Sequence, residues 1–117
     1  MAVKPLKGSL MKYVVVMVTT PNRATSLRLA KLLVGKKLAA CVNIVPGLTS
    51  LFRWKGKVER AREELLVIKT AAPRYPALEK AVRGAHPYET CEILALPVDR
   101  GNPAYLRWIE QSLGSRP

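Results

Sequence analysis

The segment YVVVMVTTPN, residues 13–22, couples a strand to the start of a helix. Its first six residues form a continuous apolar and mostly β-branched run, which is typical of a strand buried on both faces. After Thr19 come Thr20, Pro21 and Asn22. A Thr or Asn side chain can accept the free amide hydrogens of a first helical turn, and Pro suits that turn. The pattern therefore predicts a helix from about Arg23 to Lys36.

Strands and helices continue to alternate along the rest of the chain. The apolar patterns predict strands over residues 39–54, 57–70 and 93–98, and helices over residues 73–84 and 105–113. Pro46-Gly47 predicts a bend or bulge, Gly56 a turn, and Pro97 an edge strand or a strand end. The order strand, helix, strand, strand, helix, strand, with a C-terminal helix, predicts an α+β fold. It is the ferredoxin-like split βαβ sandwich.

One face of such a sheet has no helix of its own to cover it. The layout places both principal helices on one side of four strands, yet at least two strands are apolar on both faces. The open face would then expose more apolar surface than the few hundred Å² that a monomer tolerates. We therefore expect the chain to self-associate through the open sheet face.

Length and composition indicate one domain. The chain has 117 residues, of which 49% are hydrophobic, enough for a single ordinary core. We expect residues 1–11, with Pro5 and Gly8, to be a flexible leader and residues 12–117 to form the domain. No apolar stretch approaches the ~20 residues of a membrane helix, and nothing marks the chain for export. We therefore expect a cytoplasmic protein, without membrane association, whose Cys41 and Cys91 are free thiols, with Cys41 a small buried hydrophobe.

The positive charge is concentrated in the first half. Residues 1–62 hold 13 of the 20 Lys and Arg but one of the eight acids, whereas the remainder is balanced. Such a bias can mark a nucleic-acid surface, and Trp54 lies among Arg53, Lys55 and Lys57 as in single-strand binders. The alternative is a solvated helix face with Trp54 as a packing or interface anchor. Since residues 64–70 lack the stacking aromatics of RNA-binding sheets, nucleic acid is the less favoured partner.

The heptapeptide HPYETCE, residues 86–92, contains the only histidine, one of two cysteines and two of the eight carboxylates. Its candidate metal ligands are His86, Glu89, Cys91 and Glu92. Imidazole and thiolate together favour copper or zinc over magnesium or calcium. The alternative interpretation is structural: the His86 ring hydrogen-bonds the backbone, the following residues shape a turn, and the carboxylates pair with nearby cations.

Geometry restricts how this segment can bind an ion. In an extended strand His86 and Glu92 lie about 20 Å apart, whereas each ligand must lie about 2 Å from a shared ion. A metal site therefore requires a tight turn after Pro87 or ligands from neighbouring subunits. Catalysis has little support, since there is no Gly-rich phosphate loop and no nucleophile elbow, and His86 has no evident Ser partner. We expect neither enzymatic activity nor an organic cofactor.

Seven blocks together resemble the successive signatures of one family. They are VTTPN (18–22), LAACVNIVPG (38–47), TS (49–50) with RWKGK (53–57), IKT (68–70), HPYE (86–89), ALPV (95–98) and GNPAYLRW (101–108). In this order they resemble the CutA divalent-cation-tolerance family over roughly residues 12–113. The resemblance implies a cytoplasmic homotrimer of ferredoxin-like subunits, related in architecture to the PII signalling proteins. It also implies a link to copper and other divalent metals.

Only one of the three metal ligands proposed in some members of the family is present in this chain. The copper ligands proposed in some bacterial members match Val18, Ala85 and His86 here. Valine and alanine do not bind metals, so a copper site would recruit neighbours of His86: Tyr88, Glu89, Cys91 and Glu92. The candidate trimer-interface or cleft residues are Trp54, Tyr88 and Trp108.

Two functional hypotheses follow. One is a divalent-cation-tolerance trimer that binds copper or another divalent metal weakly through the His86 region. The other is a PII-like signalling or structural trimer, without metal chemistry, that binds a small anion or a protein partner in its inter-subunit clefts.

Overall fold

A computed structural model describes residues 12–114 of the chain. The elements are β1 (Tyr13–Thr20), α1 (Arg23–Gly35), β2 (Cys41–Trp54), β3 (Lys57–Ala71), α2 (Tyr75–Ala85), β4 (Ile93–Pro97) and α3 (Pro103–Leu113), with a short 3₁₀ turn (Ala72–Arg74) before α2. The predicted order of elements and the α+β class are confirmed. The predicted leader over residues 1–11 lies outside the described residues.

The four strands form one antiparallel sheet in the order β2-β3-β1-β4. β4 is an edge strand and Pro97 is its last residue, as predicted. The β2–β3 hairpin turns through Lys55 and Gly56, whose φ angles of 50° and 82° are both positive, as in a tight two-residue hairpin turn. The register of β2 shifts between Val45 and Leu48, which confirms the predicted bulge.

Asn22, not Thr20, caps α1. The Asn22 side-chain oxygen accepts a hydrogen bond of 2.8 Å from the backbone N–H of Thr25. The hydroxyl of Thr20 instead lies 2.6 Å from that of Ser26, and both side chains are fully buried. The end of β1 and the first turn of α1 are therefore joined by a buried hydroxyl pair beside a side-chain cap.

The hydrophobic core lies between the sheet and the helices α1 and α2. Alternate residues of β1 and β3 point into it, together with leucines and valines of the two helices: Val14, Val16, Val18, Leu29, Leu33, Leu66, Ile68, Leu78 and Val82. The other residues of β1 are only half-buried, so the prediction that this strand is buried on both faces is wrong for one subunit. The second face of the sheet is apolar and incompletely covered.

The helix α3 covers one end of that second face. Tyr13, which alternates with the core residues of β1, donates its hydroxyl hydrogen bond to Glu110 of α3. Tyr105 of α3 lies against Cys41 of β2. Cys41 pairs with Lys69 of β3, which alternates with the core residue Ile68 and so points to the second face. The expectation of a fully open face therefore needs correction. An amphipathic helix can bury its apolar side against any apolar surface, and α3 packs against the second face of the sheet.

Candidate functional site

His86 joins α2 to the end of β1. It ends α2 with an extended backbone conformation, and its side chain is buried, with the residue only 8% exposed. Its Nε2 lies 2.8 Å from the carbonyl oxygen of Thr19, and its Nδ1 lies 3.1 Å from the backbone nitrogen of Tyr88. Because a backbone N–H can only donate, Nδ1 is the acceptor, and Nε2 then carries the proton and donates to Thr19. Both ring nitrogens are thus engaged within the subunit.

Tyr88 fixes the segment after His86. The backbone bends through residues 87–90, and the Tyr88 ring lies 4.8 Å from the His86 ring. The Tyr88 hydroxyl donates a hydrogen bond of 2.7 Å to Oε2 of Glu63, a buried carboxyl group on β3. Burial, followed by this hydrogen bond to Glu63, raises the pKa of Tyr88 to about 12.

The four candidate metal ligands do not converge in one subunit. The bend after Pro87 is present, but Glu89 and Glu92 are exposed, and Cys91 packs against the core. Among the described residues no three His, Cys, Asp or Glu side chains are placed to hold one metal ion. Ligation by His86 would in addition require one of its two hydrogen bonds to break.

Trp54 and Tyr88 line one cavity of about 410 Å³. Its other lining residues are Phe52, Glu59, Arg60, Ala61, Glu89 and Thr90. The third cleft candidate, Trp108, does not line this cavity. Its ring stacks on that of Tyr105 at 5.4 Å on α3, and it remains 42% exposed.

A polar group on the second face of the sheet was not predicted. Lys69 donates to the side-chain oxygen of Asn43, and its Nζ lies 3.9 Å from Sγ of Cys41. The pKa of Tyr105 is raised, mainly by burial and then by the nearby Cys41. Cys41 is therefore half-buried among polar groups, and its interpretation as a small buried hydrophobe is wrong. The available signal was the spacing of Cys41 and Asn43, which places both side chains on one face of β2.

Both cysteines are free, as expected. Among the described residues no helix is long and apolar enough to span a membrane.

Known proteins are similar to this chain over most of its length. Residues 14–112 match the sequence model of the family described as CutA1 divalent ion tolerance protein. The chain belongs to the CutA1 family. The divalent-cation tolerance protein CutA of Thermus thermophilus is 47% identical over 100 residues, which cover 86% of this chain and 97% of that protein. Protein CutA of Mus musculus is 50% identical over 94 residues, covering 80% of this chain and 53% of the mouse protein. The chain therefore spans about half the length of that mammalian relative.

Solved CutA1 structures share the fold. The divalent cation tolerance protein from Thermus thermophilus superposes with a TM-score of 0.85 at 46% identity, covering 87% of this chain and 99% of that one. CutA1 from Oryza sativa superposes with a TM-score of 0.86 at 45% identity, covering 90% of this chain and 96% of that one. The CutA family and the ferredoxin-like subunit fold expected from the sequence are confirmed.

Proposed function

We propose that this CutA1-family chain is a homotrimeric divalent-cation-tolerance protein. The observation that carries the proposal is the family match over residues 14–112. It is joined by relatives named divalent-cation tolerance protein CutA in Thermus thermophilus and Escherichia coli, which are 47% and 42% identical to the chain. We retain the cytoplasmic location and the lack of catalytic activity as predictions from the sequence.

Self-association is supported by the apolar surface that α3 leaves uncovered. Leu94 and Leu96 on β4 face Met17 and Val15 of β1 across the ladder, and Leu94 is 59% exposed. On the β2–β3 hairpin, Leu51 is 70% and Val58 is 64% exposed. Apolar surface of this extent marks an interaction site in a soluble protein. Three subunits, rather than another number, follow from the resemblance to trimeric CutA proteins.

We place metal binding between subunits. The His86 ring is engaged in two hydrogen bonds, so we assign it the role of holding the segment 86–92 in position. Glu89 and Glu92 are exposed, and Cys91, which packs against the core, is only partly buried, so a neighbouring copy can approach all three side chains. Thiolate and carboxylate ligands favour copper or zinc, and a site built from few exposed ligands binds weakly.

Sedimentation and calorimetry test this proposal. Wild type should sediment as a trimer at micromolar concentration. Copper titration should give an isotherm that Cys91→Ser and Glu92→Gln weaken severalfold. Glu79→Gln serves as the matched control, because the Glu79 carboxylate on α2 is partly exposed and, among the described residues, forms its ion pair with Arg83 of the same helix. A monomer by sedimentation contradicts the assembly, and identical isotherms for all variants contradict the metal site.

A second candidate function is the binding of a small molecule; the PII-like alternative expects it in a cleft between subunits, whereas this cavity is lined by residues of one subunit. Its volume of about 410 Å³ falls within the roughly 300–1,000 Å³ of ordinary ligand pockets. Two of its lining residues are carboxylates and one is an arginine, which does not suit the small anion expected from the basic first half. A thermal-shift screen that compares anionic with cationic compounds separates these cases, since only a bound compound raises the melting temperature.

A further inference from the structure

We propose that the cavity formed by the β2–β3 hairpin and residues 88–90 binds a small organic cation, an ammonium group attached to a flat apolar body. The lining comes from one subunit, so the inference does not depend on the proposed trimer. Three features support it: the face of the hairpin that forms the floor, the anchored segment that forms the wall, and the distribution of charge around both.

The floor of the cavity is one face of the hairpin. Phe52 on β2 lies directly opposite Glu59 on β3. Trp54 follows Phe52 by two residues and Ala61 follows Glu59 by two, so all four side chains point to the same face. Arg60 also lines the cavity, although it alternates to the opposite face of β3. The floor therefore presents two aromatic rings and one carboxylate.

The wall of the cavity is held before any ligand arrives. Tyr88, Glu89 and Thr90 form it. The Tyr88 hydroxyl is bonded to Glu63, which lies on the same face of β3 as Glu59 and Ala61. His86 ties the start of this segment to Thr19. A wall fixed at two points loses little conformational freedom on binding, which favours affinity for a small ligand.

The charge and the rings select a cation. Glu59 and Glu89 both line the cavity, both are exposed, and neither forms an ion pair with another described residue. Aromatic faces attract ammonium groups through their negative quadrupole. Nζ of Lys55 lies 5.6 Å from the centroid of the Trp54 ring, so this ring is accessible to an ammonium group, and a ligand that stacks there displaces Lys55.

A bare metal ion or an anion fits these walls less well. Two carboxylates without a third ligand group among residues 12–114 do not complete a metal site. Aromatic walls offer nothing to a hydrated ion, whereas an organic cation buries its apolar body against Phe52, Trp54 and Tyr88 while its charge meets the carboxylates. An anion would meet both carboxylates, with Arg60 as the one cationic lining residue.

A matched pair of probes tests the inference. Phenethylammonium and 2-phenylethanol have nearly the same shape and differ in charge at neutral pH. Binding of each to the full-length protein is measured by calorimetry and by saturation-transfer NMR. EDTA in the buffer makes the result independent of metal binding. We expect saturable binding of phenethylammonium, roughly tenfold tighter than that of 2-phenylethanol.

Variants locate the effect. The double variant Glu59→Gln with Glu89→Gln should abolish the preference for the cation while retaining the weak binding of 2-phenylethanol. Trp54→Leu should weaken both probes. Glu79→Gln removes one carboxylate that does not line the cavity and should change neither, and circular dichroism checks that every variant is folded. Three outcomes overturn the proposal. The two probes bind with equal affinity, the preference for the cation survives in the double variant, or phenethylammonium does not bind to wild type. The last outcome includes a cavity filled by a neighbouring copy of the chain.

Discussion

The Nε2–H group of His86 donates to the carbonyl oxygen of Thr19 at 2.8 Å, 67 residues away in the chain. The ladder between β1 and β4 ends at the pair Val18 and Ile93, so Thr19 lies one residue beyond its last strand partner on that side. The histidine ring thus supplies the hydrogen bond that a longer β4 would have supplied. At the same time Nδ1 accepts from Tyr88, so one ring both closes the edge of the sheet and sets the bend that follows.

Replacement of His86 should therefore reduce stability. His86→Ala removes a buried ring and leaves the Thr19 carbonyl and the Tyr88 N–H without partners at partly buried positions, which costs about 1–3 kcal/mol in the free energy of unfolding. His86→Gln keeps one side-chain donor and one acceptor and should lose less. Urea denaturation at one fixed protein concentration measures both, because an oligomer's stability depends on concentration. If His86→Ala costs no more than the surface control Glu79→Ala, the ring is not an anchor.

Burial of Tyr88, together with its hydrogen bond to Glu63, predicts an effect of alkaline pH on stability. The folded-state pKa of Tyr88 is about 12 against an ordinary value of 10.0, so its neutral form is favoured in the folded protein. The resulting stabilisation is complete below pH 10 and is lost as the pH rises from 10 toward 12. The ultraviolet titration of wild type minus that of Tyr88→Phe should show one tyrosine ionising near pH 12. A difference curve centred at pH 10 would show that the hydroxyl is neither buried nor held by Glu63.

The cap of α1 predicts a local stability effect. Asn22→Ala removes the acceptor of the Thr25 N–H and should lower the free energy of unfolding by about 1 kcal/mol. Asn22→Asp and Asn22→Ser keep an acceptor and should stay close to wild type. Thermal melting of the four proteins at one concentration distinguishes them. Equal losses in all three variants would indicate that the position, not the acceptor, matters.

Much of the fold was predictable because its signals are local. The apolar run of β1, the Asn22 cap and the Gly56 turn each depend on neighbours a few residues away, and each is found where its pattern placed it. The position of α3 was not predictable in the same way. Its amphipathic pattern shows that one side is buried but does not specify the surface that buries it.

The candidate site was predicted as a set of residues but not as an arrangement. The bend after Pro87 was anticipated, and so was the alternative that the His86 ring bonds to the backbone. The sequence did not predict that Thr19 would be the acceptor of the His86 ring or that Glu63 would be the partner of Tyr88, because both contacts join distant parts of the chain. The proximity of Cys41 and Lys69 was also not predictable, because it depends on the register of β2 against β3.

The apolar face of β1 and β4 gives the sharpest test of assembly. Leu94 lies opposite Met17 on the face that α3 leaves uncovered, and it is 59% exposed in the subunit. Leu94→Glu therefore costs the isolated subunit little, but in an assembly it buries an unpaired carboxylate, which is strongly unfavourable. Sedimentation should show Leu94→Glu shifted toward monomer. Leu27→Glu is the matched control: Leu27 is 42% exposed on α1, in the helical layer on the opposite side of the sheet, and its replacement should leave the assembly intact. If Leu27→Glu dissociates the protein and Leu94→Glu does not, the subunits associate through the helices, and the face of β1 and β4 is not the interface.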